Sequence, residues 1–364
     1  MHDGRRSAEA TRSGPDPDRA DPDGADPDGA DPDRADPVVA LVGPTASGKS
    51  AIAYELARRM SARAGWDLEL VSVDSMAVYR GMDIGTAKPT AEARACVRYH
   101  LVDLVEPGEE FTVRQFQQAA RTALTGIADR GNRALLVGGT GLHLRAIVDD
   151  LVFPGRFPDV AARIGAELEA AGPTGSPGER DALAALHHRL ARLDPVAAAR
   201  IEPGNRRRLL RALEVTVGSG QAFSSFGPGL ERYPPSPVVQ VGIRPDPAVL
   251  DARIADRFER WMDQGLLEEV RALSERPGGL SRTARQALGY RELLTHLEDG
   301  VPLAEAVGEA IRRTRVFARR QMAWFRRDPR IVWMHPDEDP VARIESWVGR
   351  PPRGSAGVGD WQRA

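Results

Sequence analysis

Apolar runs of strand length alternate with segments of helical periodicity through the first part of the chain. The runs fall at 38–42, 68–73, 100–105 and 134–138, and segments at 50–60 and 112–130 repeat their apolar positions at helical spacing. Strands alternating with helices predict a parallel, doubly wound α/β sheet. Further runs at 238–243 and 331–334 are expected to complete it. Between them the pattern changes: 157–230 shows helical periods at 159–171, 179–193, 195–201 and 205–218 and no convincing strand, which predicts an all-α insertion. Helical patterns at 246–274, 283–299 and 302–328 predict a helical C-terminal region. The expected division is therefore a core of 38–156 and 231–349, a helical insertion of 157–230, and tails at 1–37 and 350–364.

Composition refines this picture at the ends of the chain. Residues 1–37 repeat Ala-Asp-Pro-Asp-Gly/Arg imperfectly, with too few apolar groups to offset the entropy of ordering, and read as a disordered tail. They hold eleven acids against five arginines, so the net charge of −2 hides a remainder with 45 basic and 41 acidic residues. One cysteine, Cys96, excludes a disulfide within the chain and a cysteine-based zinc site, and makes a reducing, cytoplasmic setting the expectation. No run approaches the ~18 apolar residues of a membrane span, and the acidic, proline-rich start is unlike a signal peptide.

The strongest chemical signal is Gly43-Pro44-Thr45-Ala46-Ser47-Gly48-Lys49-Ser50, placed between a predicted strand and a predicted helix. This spacing wraps backbone N–H groups around an anion, extends Lys49 to an outer phosphate and offers Ser50 to a magnesium ion. Lysine is otherwise nearly absent: Lys49 and Lys88 are the only two among fifty basic residues. An ammonium is a compact point charge that arginine's planar fork does not mimic, so both lysines read as chemically required; for Lys88 the alternative is an accidental surface lysine. Asp74 follows the second run and Gly138-Gly139-Thr140-Gly141-Leu142 follows the fourth, so both belong at the carboxyl edge of the sheet, where such folds bind ligands. Asp74 there is a magnesium ligand, a partner for Lys49 or a general base; the alternative is a helix N-cap.

Two arginine clusters stand apart from this crevice. Arg206-Arg207-Arg208-Leu209-Leu210-Arg211 lies in the insertion, and eight arginines between 312 and 330 are interleaved with Phe317, Trp324 and Phe325. Arginines beside aromatics suit phosphate contacts and stacking on unpaired bases, which favours RNA over a merely solvated face.

Seven ordered segments, namely 43–50, 72–79, 81–89, 138–142, 211–214, 286–291 and 319–326, resemble the bacterial tRNA dimethylallyltransferase (tRNA isopentenyltransferase) family over about 38–335. The resemblance implies a P-loop kinase-like core, a helical insertion that grips the anticodon stem-loop, and transfer of a dimethylallyl group to N6 of the adenosine 3′ of the anticodon. It makes dimethylallyl diphosphate the donor, held with Mg2+ by Gly43 through Ser50, with Ser50 on the metal. It assigns Asp74, Lys49, Thr140 and Arg257 to catalysis, Asp74 as the base on the amine and the two cations on the departing diphosphate. It assigns tRNA contacts to Asp74, Ser75, Met76, Ala77, Thr140, Arg163, Arg207, Arg208, Arg211, Arg285, Gln286, Gly289, Tyr290, Arg291, Arg320, Gln321 and Arg326. A monomer is expected. The chain departs from the family pattern at His143, where tyrosine is usual, at Ala161, where arginine is common and Arg163 is the nearby substitute, at Arg207 for glutamine and at Ala323 for threonine.

Three rival readings share parts of this pattern. A small-molecule kinase would use the same loop but has no need of two arginine-rich helices. A prenyltransferase acting on free adenine nucleotides would lack the full insertion. A non-catalytic RNA-binding protein would not need Lys49, Ser50 and Asp74 around one crevice.

Overall fold

The computed structural model describes residues 38–62, 65–227 and 229–348. The tails expected at 1–37 and 350–364 lie outside the described residues. Six parallel strands form one sheet: β1 (Val39–Val42), β2 (Leu68–Val73), β3 (Tyr99–His100), β4 (Arg133–Gly138), β5 (Val239–Ile243) and β6 (Ile331–Met334), in the order β3-β2-β4-β1-β5-β6. Alternation along β1 divides two cores. Ala40 and Val42 face one with Phe116, Leu144 and Phe325, while Val39 and Leu41 face the other with Leu56, Met60 and Ile344. Because both faces are covered, β1 is apolar at every position, and the polar residues Glu69 in β2 and Gln240 in β5 are buried.

Helix α1 (Lys49–Ser61) buries Ala53, Leu56, Ala57 and Met60, a single stripe at helical spacing, against the second core. On the opposite face α3 (Val113–Asp129) starts at a capping box made by Thr112 and Gln115 and buries Phe116, Ala120, Leu124 and Ile127. Between them the short α2 (Ala91–Cys96), capped by Thr90, contributes no buried residue, which is why its pattern is silent in the sequence. Helix α4 (Gly141–Val148) was also hidden, since its last five residues are all buried and leave no amphipathic signal.

The run at 100–105 yields only two strand residues. Leu101 and Asp103 adopt positive φ of 61° and 57°, which ends the strand and turns the chain toward Lys88. The Lys88 ammonium donates to the Tyr79 carbonyl at 2.6 Å, to Asp83 at 2.8 Å and to Asp103 at 2.6 Å, and its side chain is 1% exposed. All three donors are spent inside the protein, so the lysine is required, as a tie between three loop segments. Lys88→Met is expected to destabilise the protein by roughly 2 kcal/mol, less than a fully buried pair because both carboxylates are partly in water. Chemical denaturation measures this, and a change below about 0.5 kcal/mol would mean the cage adds nothing.

The segment 157–230 folds around its own core. Helices α5 (Pro158–Ala170), α6 (Pro177–Leu193), α7 (Pro195–Arg200) and α8 (Arg206–Ser219) bury Ile164, Leu168, Leu183, Leu190, Leu209 and Leu213 together. Both connections to the sheet are held by arginine. Arg211 reaches the carbonyls of Pro154 and Gly155 at 2.9 and 3.0 Å, and Glu214 accepts from the Phe157 N–H at 2.8 Å. On the return, buried Arg145 donates to the carbonyls of Leu230 and Arg232 and stacks on Tyr233.

The expected helix at 246–274 is two, α9 (Pro247–Asp263) and α10 (Leu266–Ser274), because Gly265 sits at φ 94° between them. The chain continues through α11 (Tyr290–Asp299), α12 (Leu303–Phe325) and α13 (Pro340–Val348). Among the described residues no helix is long and apolar enough to cross a membrane.

Candidate active site

The carboxyl ends of β1, β2 and β4 are adjacent in the sheet, so the loops that follow them share one edge. After β1 the loop turns through Ala46 at φ 63° and Gly48 at φ 92°, and Gly48 is the N-cap of α1. A glycine is needed there, because the left-handed N-cap aims the first N–H groups of the helix together. Those groups and the positive end of the helix dipole face the same point, an arrangement that suits phosphate.

Two cations border this loop. Lys49 donates from Nζ to the Pro44 carbonyl at 3.0 Å. Burial lowers its pKa to about 8; the nearby Arg257 guanidinium lowers it further and Asp74 opposes the shift. Arg257, on α9, donates to the Thr45 hydroxyl at 3.1 Å and lies 5.5 Å above the Trp261 ring. Burial, and secondarily Arg260, also pushes its pKa down. Two desolvated cations beside the phosphate loop, Lys49 within the field of Asp74, make an environment complementary to a polyanion.

Asp74 sits on the loop after β2. Its Oδ1 accepts from the N–H groups of Met76 at 2.8 Å and Ala77 at 3.4 Å, so the carboxylate does cap a turn, as the simplest structural reading expects. Capping uses one oxygen and leaves the other for chemistry. The Thr140 hydroxyl accepts from the Ser75 N–H at 3.4 Å, joining the β4 loop to the Asp74 loop. Lys49, Asp74, Thr140 and Arg257 thus surround a single crevice, and one chain supplies all four.

The residues expected to touch tRNA divide by burial. Arg163, Arg207, Gln286, Arg291, Arg320 and Arg326 are exposed, and Ser75, Met76 and Arg208 are partly so. Tyr290, Gly289, Ala77 and Gln321 are internal, while Arg211 and Arg285 are partly exposed and also tied within the protein. Tyr290 is 0% exposed, with its hydroxyl on Glu269, while Glu269 also accepts from the N–H groups of Asp83, Ile84 and Gly85. Gly289 and Ala77 are buried. Arg211 holds the segment that leads into the insertion at Pro154 and Gly155, and Arg285 is paired with Glu298. Gln321 is 8% exposed and accepts from the Thr45 N–H, which occupies one backbone donor otherwise expected on the diphosphate. Nothing in the local sequence signals the backbone partners of Glu269 or Gln321, which lie 182 to 276 residues away.

At the departures, His143 packs edge-on to Phe116 with ring centroids 4.7 Å apart, and burial lowers its pKa to about 4, so it is a neutral ring. Ala161 is partly buried on α5, two positions before exposed Arg163.

A family model for IPP transferase matches residues 77–328. The chain belongs to the IPP transferase family. The phosphate loop of this family member lies before the matched stretch, so it is a separate observation pointing the same way. A curated tRNA dimethylallyltransferase of Salinispora tropica is 47% identical over 297 residues, covering 82% of this chain and 88% of the relative. One of Streptomyces coelicolor is 43% identical, covering 82% and 89%. Among solved structures, a full-length tRNA isopentenylpyrophosphate transferase from Bacillus halodurans aligns with a TM-score of 0.59 at 34% identity, covering 86% of this chain and 96% of that one. A eukaryotic dimethylallyltransferase acting on tRNA aligns at 0.65 and 22% identity, a likeness of fold.

Proposed function

We propose that this enzyme transfers the dimethylallyl group of dimethylallyl diphosphate to the exocyclic N6 amine of the adenosine 3′-adjacent to the anticodon of tRNA, releasing diphosphate. The observation that carries the reading is the crevice itself: a glycine loop and two desolvated cations for a diphosphate lie beside a carboxylate with one uncommitted oxygen. In the reaction a bond forms between N6 and the allylic carbon, the bond from that carbon to the diphosphate oxygen breaks, and the amine loses a proton. An aromatic amine is a poor nucleophile, so a base within hydrogen-bonding reach accelerates attack, and in this reading Asp74 takes the proton through its uncommitted oxygen. Thr140, bonded to the Asp74 loop, orients the same amine or its ribose. Lys49 and Arg257 stabilise charge that grows on the departing diphosphate, where a preorganised cation acts without reorganisation.

Mg2+ fits the donor set. Ser50 is an exposed hydroxyl on the first turn of α1, and among the described residues no group of three acidic, histidine or cysteine side chains could hold a metal by itself. That suits an ion bound mainly through diphosphate oxygens and water, with one protein oxygen. Bound there, it would add positive charge to the leaving group.

The insertion argues for tRNA over a free nucleotide. It has a core of its own and exposes Arg163 and Arg207, a surface that a small acceptor does not need. Since one chain completes the crevice, the enzyme is expected to act as a monomer, in the cytoplasm where tRNA is found. The test is transfer of labelled dimethylallyl from its diphosphate, with Mg2+, to unmodified tRNA carrying the target adenosine, with AMP and ATP as parallel substrates. Label in tRNA alone is expected. Label in AMP, or ATP consumption with no labelled product, would replace the reading with nucleotide prenylation or phosphoryl transfer.

A further inference from the structure

Helix α12 carries a side chain whose position ties the two halves of the crevice together. Gln321 accepts at Oε1 from the Thr45 N–H at 2.8 Å and donates from Nε2 to the Gly139 carbonyl at 2.8 Å. Thr45 belongs to the phosphate loop after β1, and Gly139 to the loop after β4 that presents Thr140. The fit is close: a Cβ at Gly139 would lie 2.4 Å from Gln321 Nε2 and 3.0 Å from the Gly43 carbonyl, so glycine is required for the amide to reach. Thr45 is held from its other side as well, by Arg257 on its hydroxyl.

We propose that Gln321 is a positioning residue that sets the spacing between the diphosphate cradle and the acceptor-side loop, by bridging the phosphate loop and the Gly139 loop through one primary amide. The inference rests on the proposed transfer reaction and adds a residue that need not touch either substrate. The chemistry demands an amide. The bridge must accept from an N–H and donate to a carbonyl at once, from atoms held rigidly about 2 Å apart, and among side chains of this length only glutamine does both without charge. A carboxylate would keep the first bond and set two acceptors against each other at the second. A thioether would leave both buried backbone groups unpaired. The same helix exposes a face that carries Arg320, and exposed Arg326 follows at its C-terminal end. The bridge thus also fixes that face relative to the phosphate loop.

The consequence is a loss in turnover more than in binding, because reaction depends on sub-ångström alignment of donor carbon and amine while tRNA affinity depends on phosphate contacts spread over the surface. Gln321→Met is expected to lower kcat by about 10- to 100-fold, with the Kd for tRNA within about twofold of wild type. The isosteric Gln321→Glu retains the Thr45 bond and serves if the first variant fails to fold. Backbone hydrogen exchange over 43–49 reads the bridge directly: faster exchange than wild type is expected in Gln321→Met, and an intermediate rate in Gln321→Glu. Unchanged protection, kcat within twofold of wild type, or a loss confined to KM for tRNA would each overturn the inference. Exchange needs no turnover. A wild-type enzyme that transfers no prenyl group would therefore sink the reaction assigned above, while exchange over 43–49 still decides the bridge.

Discussion

Asp74→Asn is expected to reduce prenyl transfer by about 10²- to 10⁴-fold, the range a positioned general base supplies, while tRNA binding stays within about twofold of wild type. The choice of asparagine separates two roles that the geometry shows side by side. Oδ1 of Asp74 caps the turn through the N–H groups of Met76 and Ala77, and an asparagine oxygen can accept the same two bonds. It cannot take a proton. Single-turnover transfer, with tRNA affinity measured by filter binding, distinguishes the roles. Near-normal turnover in Asp74→Asn together with loss in Asp74→Ala would reduce Asp74 to a turn cap, whereas loss in both, with tRNA still bound, identifies the base. A comparable loss of tRNA affinity would mean that the Asp74 loop shapes the RNA surface.

Lys49→Met is expected to lower transfer by about 10³-fold or more and, unlike most active-site losses, to raise the thermal midpoint at neutral pH. The reason is the environment of the ammonium. Its pKa is about 8 in the folded protein against 10.5 as the ordinary value, chiefly because burial disfavours the charge, with Arg257 adding repulsion. A lysine with a lowered folded pKa binds fewer protons folded than unfolded between about 8 and 10.5, so its contribution to stability rises with pH across that window. Below pH 8 the wild type carries the full penalty of the buried cation. The stability advantage of Lys49→Met should thus be largest below pH 8 and shrink toward pH 10.5. Thermal melts at pH 7 and pH 10 test this, and an advantage that does not shrink would remove the electrostatic explanation. The same shift predicts that inorganic diphosphate binding at pH 8.5 takes up protons, because the anion restores Lys49's affinity for its own. Calorimetry in two buffers of different ionisation enthalpy measures that uptake, and none would place Lys49 away from the anion.

Both residues are legible in the sequence alone, and the reason is local. A phosphate loop is one contiguous turn whose spacing is its mechanism, so Gly43 through Ser50 announce their conformation in the sequence. The strand ends that carry Asp74 and Thr140 follow from apolar runs whose alternation with helices dictates a parallel sheet, and the carboxyl edge of such a sheet is where ligands bind. Arg257 is different. No local pattern singles it out within α9, and it entered through resemblance alone; the structure supplies its physical reason in the bond to Thr45.

What the sequence by itself determined are properties with short range: the order of strands and helices, the phosphate-loop geometry and the change to all-helical periodicity at 157. Only the tertiary structure decided what pairs across long separations. Lys88 reads in the sequence as either a required ammonium or an accidental surface lysine, and Tyr79, Asp83 and Asp103, which use all three of its donors, decide between them. Tyr290 and Gln321 could be read as RNA contacts until burial placed one hydroxyl on Glu269 and one amide between Thr45 and Gly139. Helical periodicity over 246–274 does not reveal the break at Gly265, because a single left-handed residue leaves the apolar repeat on either side intact. A polar side chain in a helix has the same local signature whether it faces water or a buried partner. Its role is settled by which distant backbone groups lack partners of their own, and that is a property of the packed chain.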